Sequence, residues 1–270
     1  MNRLILQSLV IFCLVAALSN LSWAGSARSN DSLFAPEAIA TFAKTVEQTA
    51  AKEGALAFII GRVGRPKDAL PVGINFTHTA IALYSSITLG DGTTAKGYAI
   101  HNLYQTAEDS GKSELVTDYP VDFFWSAKSL TAGIIIPTRE LQLRLIELVN
   151  SSTAQTLHNP QYSAIANPFN LIYQNCTEYT LDLLNAAIYQ TTDREQLKAN
   201  ASAHFTPVTV KVSPLKMALG SIFMPDVSTR DHSGTVATAT FGAIAHYLRL
   251  NELSQLAVTV DQNGVIDTIL

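Results

Sequence analysis

The alternation of hydrophobic and polar positions predicts a β-hairpin near the start of the chain. Residues 75–87 and 96–104 are rich in β-branched and aromatic side chains, and the turn sequence Gly-Asp-Gly lies between them at 90–92. Two such runs joined by such a turn are typical of antiparallel strands. Strand alternation places His78 on the same face as the alanines at positions 80 and 82, which leaves room for another element to pack closely over it.

Hydrophobic periodicity elsewhere predicts strands and helices in mixed order. We expect strands at 55–63, 133–137 and 256–260, an extended segment at 205–212, helices at 36–52, 138–150, 193–200 and 235–250, and a helical turn at 214–219. No internal repeat or linker interrupts residues 36–270. One α+β domain over 36–270 is therefore the simplest prediction.

Residues 173–180 predict a loop that delivers a cysteine onto the first turn of a helix. Asn175 is a good N-cap, and Glu178 stands three residues later, where its carboxylate can complete a capping box. Cys176 is then the first helical residue, at the positive end of the helix dipole, which favours thiolate over thiol. The alternative is a small buried hydrophobe, the commonest role of a free cysteine. An apolar stripe at helical spacing follows, at Leu181, Leu184 and Ile188.

The amino terminus predicts export. Residues 1–3 are a short basic start, residues 4–18 are almost wholly apolar, and small residues surround position 24. This pattern is typical of a secretory signal peptide, predicted here at 1–24 and followed by a flexible segment at 25–35. No later stretch is apolar for long enough to cross a bilayer. We therefore expect a periplasmic or secreted chain with no transmembrane segment after cleavage.

Composition narrows the classes of function. The chain has 270 residues, 47% hydrophobic and 15% charged, which is typical of a globular protein. A net charge of −4 and the lack of a basic run argue against nucleic acid as a partner. Cys13 leaves with the signal peptide, so the exported chain keeps Cys176 as its one thiol and forms no internal disulfide.

A cysteine nucleophile needs a base and a group that orients the base. His78 is the candidate base, and a hydrogen-bonded core histidine is the structural alternative. His101 on the next strand is the candidate orienting residue, and Asn102, which points to the other face, is the alternative to it. No motif for a metal, a dinucleotide or a phosphate is present, so we expect no cofactor and no metal.

The order of these motifs resembles a known arrangement. A histidine strand at 77–81, a polar residue at 100–101 and an Asn-Cys helix start at 175–178 are similar to the circularly permuted branch of the papain-like NlpC-type superfamily, which includes lecithin–retinol acyltransferase-like enzymes. The resemblance implies a permuted papain-like α+β fold, with an antiparallel sheet and packed helices. Thr79 and the long gap between His78 and His101 depart from the superfamily pattern.

A closer resemblance covers nearly the whole mature chain. The segments 61–66, 119–124, 173–178 and 237–242 resemble an exported bacterial family, domain-of-unknown-function family 2145. That family has no established reaction.

The motifs together predict a thiol hydrolase or acyltransferase. Cys176 would attack an amide, ester or thioester and form an acyl-enzyme, His78 would take its proton, and His101 would hold the imidazole. Cell-wall peptides and lipid acyl groups are the substrates accessible after export. The alternative is a non-catalytic envelope protein that keeps the fold and binds a partner. A redox sensor is the third possibility, but the chain lacks a resolving cysteine.

Overall fold

The structure is a computed structural model, and it describes residues 31–66, 70, 73–210 and 226–269. The predicted signal peptide at 1–24, the first part of the segment 25–35 and the helical turn at 214–219 lie outside the described residues.

An antiparallel sheet of seven strands forms the centre of the described chain, in the order β4-β3-β2-β1-β5-β8-β9. Each neighbouring pair in this sheet is antiparallel. A separate pair, β6 and β7, lies outside it. The strands are β1 (Ala57–Val63), β2 (His78–Thr88), β3 (Thr94–Gln105), β4 (Ser113–Asp118), β5 (Ser129–Pro137), β6 (Val208–Thr209), β7 (Ala237–Thr238), β8 (Ser254–Asp261) and β9 (Gly264–Thr268).

Helices cover both faces of the sheet. They are α1 (Pro36–Lys52), α2 (Pro120–Trp125), α3 (Arg139–Asn150), α4 (Thr153–Thr156), α5 (Cys176–Tyr189), α6 (Arg194–His204) and α7 (Phe241–Leu250). The cluster on one face joins α1 and α2 to alternate residues of β2, among them Ala80 and Ala82. The cluster on the other face joins α3, α5 and α7 to the intervening residues of β2, among them Ile81 and Leu83. The coarse prediction of an α+β fold with an antiparallel sheet and packed helices is confirmed.

The predicted hairpin is confirmed. Strands β2 and β3 pair from Thr88–Thr94 at the turn to Ile81–His101 at the far end. Helix α5, which carries Cys176, packs against this hairpin and lies closest to β2. The residues of β2 before Ile81, which include His78, lie beyond the paired part of the hairpin.

Two glycines allow α7 to sit directly on the sheet. A Cβ added to Gly61 would lie 2.7 Å from Cδ2 of Phe241, and one added to Gly133 would also collide with the Phe241 ring. Phe76 packs edge-on against the same ring, with 4.8 Å between the ring centroids. Phe241, the first residue of α7, therefore packs directly on the glycine backbone of β1 and β5.

Some predicted boundaries were wrong. The helix expected at 235–250 begins at Phe241, because residues 237–238 pair with β6 and the Thr240 hydroxyl caps the helix by accepting from the Ala243 amide. Strands β4 and β9 were missed because both are edge strands with little hydrophobic alternation. None of the helices in the described ranges is both long and apolar enough to span a membrane.

Candidate active site

Cys176 is the first residue of α5, as predicted. The Asn175 side chain accepts hydrogen bonds from the amides of Thr177 and Glu178, at 3.0 Å and 2.9 Å. These bonds satisfy two of the amides that a helix start leaves without an intrahelical partner. The thiol is buried, with Cys176 3% exposed.

The thiol lies against the backbone of β2 on either side of His78. Its sulfur is 4.0 Å from the carbonyl oxygen of Thr77. The Thr177 hydroxyl donates to the Thr79 hydroxyl at 3.1 Å, which fixes the first turn of α5 to the strand. Because the β2–β3 pairing ends at Ile81, the strand edge at 77–79 is open to this approach.

The imidazole of His78 extends to the opposite face of the sheet. Its ring stacks on Tyr104, with 4.7 Å between centroids, and packs against Phe123 of α2 at 5.4 Å. His78 is fully buried, and its Nδ1 has no hydrogen-bond partner among the residues that the structure describes. Cys176 thus lies beside the backbone of β2 next to His78, but no hydrogen bond joins the thiol and the ring.

Asn102, and not His101, contacts the candidate base. His78 Nε2 lies 3.0 Å from Asn102 Oδ1. His101 pairs with Ile81 across the hairpin, so its side chain belongs to the α5 face while that of Asn102 belongs to the His78 face. The prediction of His101 as the orienting residue is therefore corrected. His101 is half-buried and lines a separate cleft beside Thr117 and Tyr179.

Burial favours the neutral forms of both candidate groups. Desolvation raises the pKa of the Cys176 thiol, and it outweighs the hydrogen bonds from Thr79 and Thr177 and the charge of Arg62, all of which lower it. Desolvation also lowers the pKa of His78 well below its ordinary value, and the charge of Arg62 lowers it further. The low thiol pKa that the helix dipole suggested is therefore wrong, because the sulfur is too deeply buried.

Glu178 does not form the predicted capping box. Its Oε1 accepts from Nζ of Lys198 on α6 at 2.6 Å, and the same ammonium contacts Oδ1 of Asp182 at 2.8 Å. All three side chains are buried. Burial raises the pKa of Glu178 to about 8, although Lys198 opposes the shift. No local motif points to this cluster, since Lys198 lies on another helix.

A cavity of about 150 Å³ opens beside the thiol. Cys176, Thr77 and Asn175 line one side, and the half-buried Arg65, whose guanidinium lies 3.9 Å from the Asp226 carboxylate, also lines the cavity. The remaining wall is mostly apolar, with Ile74, Phe76, Tyr162, Ile165, Val210 and Val227 among its residues.

The aromatic run at 119–125 does not line this cavity. Phe123 and Phe124 are fully buried in the core on the α1–α2 face. Their use is core packing, with Phe123 also contacting the His78 ring.

One family model matches most of the chain. The family described as "Uncharacterized protein conserved in bacteria (DUF2145)" matches residues 49–248. The chain belongs to this family. The DUF2145 match includes His78, Asn102, Cys176 and Lys198. No curated protein matches the chain, and no solved structure matches it.

Proposed function

We propose that this DUF2145 protein is an exported thiol hydrolase or acyltransferase with a circularly permuted papain-like fold. The observation that carries the proposal is the arrangement around β2. A cysteine at a helix start lies beside a strand whose histidine is hydrogen-bonded to an asparagine, and the cysteine lines a cavity. Nucleophile, base and orienting group are the parts that acyl transfer on a thiol requires.

The burial of the site favours a neutral mechanism. The thiol passes its proton to His78 as the sulfur attacks the carbonyl carbon, and an acyl-enzyme forms when the protonated imidazole returns the proton to the leaving group. Water or an acceptor alcohol or amine then takes the acyl group and regenerates the thiol. The Cys176 amide N–H, which the start of α5 leaves without an intrahelical partner, would stabilise the oxyanion. The ring and the sulfur lie on opposite faces of the sheet in this structure, so the proposed reaction requires a rearrangement on substrate binding that brings His78 to the thiol.

The cavity supports an acyl group that is apolar where it meets the protein. Its walls are mostly aliphatic and aromatic, and the charge of Arg65 is paired with Asp226 at 3.9 Å. Cell-wall peptides and lipid acyl groups both offer apolar groups, and export would expose the protein to both. Export itself is tested by sequencing the amino terminus of the secreted protein, which should begin at Gly25.

The decisive experiment is intact-mass detection of an acyl-enzyme. The purified protein is incubated with short acyl thioesters, acyl esters and cell-wall peptides, and Cys176→Ala and His78→Ala variants are compared with it. We expect a mass increase equal to the acyl group in wild type, none in Cys176→Ala, and slow formation in His78→Ala. His101→Ala is the matched control and should behave as wild type. An adduct that persists in Cys176→Ala would show that Cys176 is not the nucleophile.

One observation favours a second function, in which the protein binds a partner and catalyses nothing. The thiol and the imidazole are both buried, both held in their neutral forms, and not hydrogen-bonded to each other. In that case the cavity would bind acyl compounds equally well in wild type and in Cys176→Ala, with no acyl-enzyme and no turnover in either.

A further inference from the structure

Behind the His78–Asn102 hydrogen bond lies a buried polar network that the proposed reaction has not yet used. The Tyr104 hydroxyl donates to Oδ2 of Asp118 at 2.6 Å. Asn102 Nδ2 faces the same oxygen at 3.4 Å and the carbonyl oxygen of Ile100 at 3.0 Å. Tyr104, Asn102 and Asp118 are each at most 2% exposed.

This network fixes the orientation of the Asn102 amide. Both hydrogens of Nδ2 face acceptors, one on Asp118 and one on Ile100. A flipped amide would turn Oδ1 towards these same two oxygens, and three acceptors would then meet without a proton between them. A buried arrangement of that kind is strongly disfavoured. Oδ1 is therefore held towards His78.

The amide orientation in turn fixes the tautomer of His78. An amide oxygen only accepts hydrogen bonds, so the Nε2 atom that faces it must carry the proton. In the neutral ring this leaves the lone pair on Nδ1, which has no hydrogen-bond partner in the described structure. Nδ1 is thus the free basic atom of the ring.

We propose that Asp118 and Tyr104 are positioning residues that lock the Asn102 amide, so that His78 presents Nδ1 as the base. The catalytic part of this inference rests on the proposed function, whereas the tautomer does not. Asp118 acts through Asn102, and Tyr104 acts in two ways. Its hydroxyl is oriented towards Asp118, because Arg62 Nη1 donates to that hydroxyl at 3.4 Å, and its ring stacks on the imidazole and restricts its rotation.

The tautomer is measured directly by two-dimensional NMR that correlates the ring nitrogens and ring hydrogens of ¹⁵N-labelled histidines. The protein carries Cys176→Ala, so that the result is independent of any catalysis, and a His78→Gln variant assigns the signal. We expect His78 to be neutral, with a protonated Nε2 and an unprotonated Nδ1. A predominant Nδ1–H tautomer would overturn the proposal.

The role of Asp118 is tested in the same background with Asp118→Asn. Asparagine keeps the shape but can donate as well as accept, so the Asn102 amide is free to flip and a second His78 tautomer should appear. Asp91→Asn, at the exposed tip of the same hairpin, should leave the spectrum unchanged. An unchanged tautomer in a folded Asp118→Asn protein would show that Asp118 is only structural. If that variant does not fold, Tyr104→Phe replaces it: loss of the hydroxyl should loosen the amide while the ring stack remains.

Kinetics with the best acyl substrate then test the catalytic consequence. Asp118→Asn should lower kcat by about 10- to 100-fold with little change in KM, which is part of the roughly 10²- to 10⁴-fold that a general base contributes. Loss of thermal stability with unchanged kcat would overturn the positioning role. A wild-type protein without turnover, but with the expected tautomer and its loss in Asp118→Asn, would refute the proposed function and leave the locking network standing.

Discussion

The sulfur of Cys176 lies 4.0 Å from the carbonyl oxygen of Thr77, the residue immediately before His78. A helix start and a strand edge from distant parts of the chain therefore meet at one point. The imidazole, however, leaves that point on the other face of the sheet, towards Tyr104 and Phe123. The Cys176 thiol thus lies against the backbone next to His78, but it is not hydrogen-bonded to the His78 ring.

Thiol reactivity should reveal this resting state. Burial raises the pKa of Cys176 above the ordinary 9.0, so little thiolate is present at neutral pH. In a Cys13→Ala background, alkylation by iodoacetamide should be slower than that of a free thiol at pH 7 and should increase up to and beyond pH 9. His78→Ala should leave this profile unchanged, and Cys176→Ala should abolish labelling. If alkylation instead showed a thiolate already present below pH 7, and if His78→Ala removed it, Cys176 and His78 would form a thiolate–imidazolium ion pair.

Asn102→Ala and His101→Ala form a matched pair of neighbouring substitutions. Removing the buried Asn102 leaves His78 Nε2 without its partner and takes a donor from Asp118, at a cost of about 1–3 kcal/mol in the free energy of unfolding. The half-buried His101 makes neither contact, so its loss should change stability by about 0.5 kcal/mol or less. Urea unfolding measures both. Equal losses in the free energy of unfolding would show that the His78–Asn102 hydrogen bond makes no particular contribution to stability.

Stability should fall with rising pH because of Glu178. Its pKa is raised from 4.5 to about 8 in the folded protein, so the folded state binds its proton more tightly than the unfolded state. The resulting stabilisation is full below pH 4.5, decreases through the interval to pH 8 and is lost above it. Glu178→Gln should flatten this part of the curve of unfolding free energy against pH. A wild-type curve that rises over the same interval would contradict the prediction.

Lys198→Met should be strongly destabilising. The substitution leaves the Asp182 carboxylate buried without its cation and Glu178 without its hydrogen-bond donor, and breaking a buried ion pair in this way costs about 3–5 kcal/mol. Lys44→Met is the control, since Lys44 is exposed and its contact with Glu47 is at 3.7 Å. In a Glu178→Gln background the cost of Lys198→Met should be smaller. Additive effects in chemical denaturation would show that the two side chains are not coupled.

Gly61→Ala tests the close packing of Phe241, the first residue of α7, on β1. The new methyl group would lie 2.7 Å from Phe241 Cδ2, and overpacking of this kind costs about 1–3 kcal/mol. Gly234→Ala, where no atom lies within 4 Å of the added carbon, should be nearly neutral. Thermal unfolding measures the Tm of both variants. A Gly61→Ala protein with an unchanged Tm would show that α7 shifts on the sheet without cost.

The sequence predicted those features that depend on local chemistry. The glycine-flanked turn predicted the hairpin, and Asn175 predicted the start of α5 because an N-cap acts on the amides directly after it. Alternation also placed Asn102 and His101 on opposite faces. It did not show which face His78 shares, because that depends on the register across the turn.

The remaining features depend on contacts between distant segments. The capping box failed because Lys198 attracts the Glu178 carboxylate more strongly than the Asn175 amide does. The low thiol pKa failed because a dipole can be inferred from sequence, whereas the depth of burial cannot. The roles of Asp118 and Tyr104 could not be predicted for the same reason, since the two residues come together behind Asn102 only in the folded sheet.

The partnership of Lys198 with two acids on α5 has a consequence for how the protein assembles during synthesis. His78, Asn102 and Asp118 all precede Cys176 in the chain, so strands β2, β3 and β4, which carry them, are synthesised before α5. Helix α5 then exposes Glu178 and Asp182 until α6 supplies their cation. Docking of the nucleophile should therefore be a late, cooperative event that waits for residue 198. A nascent chain that stops before α6 would contain every proposed catalytic residue and still lack a formed site.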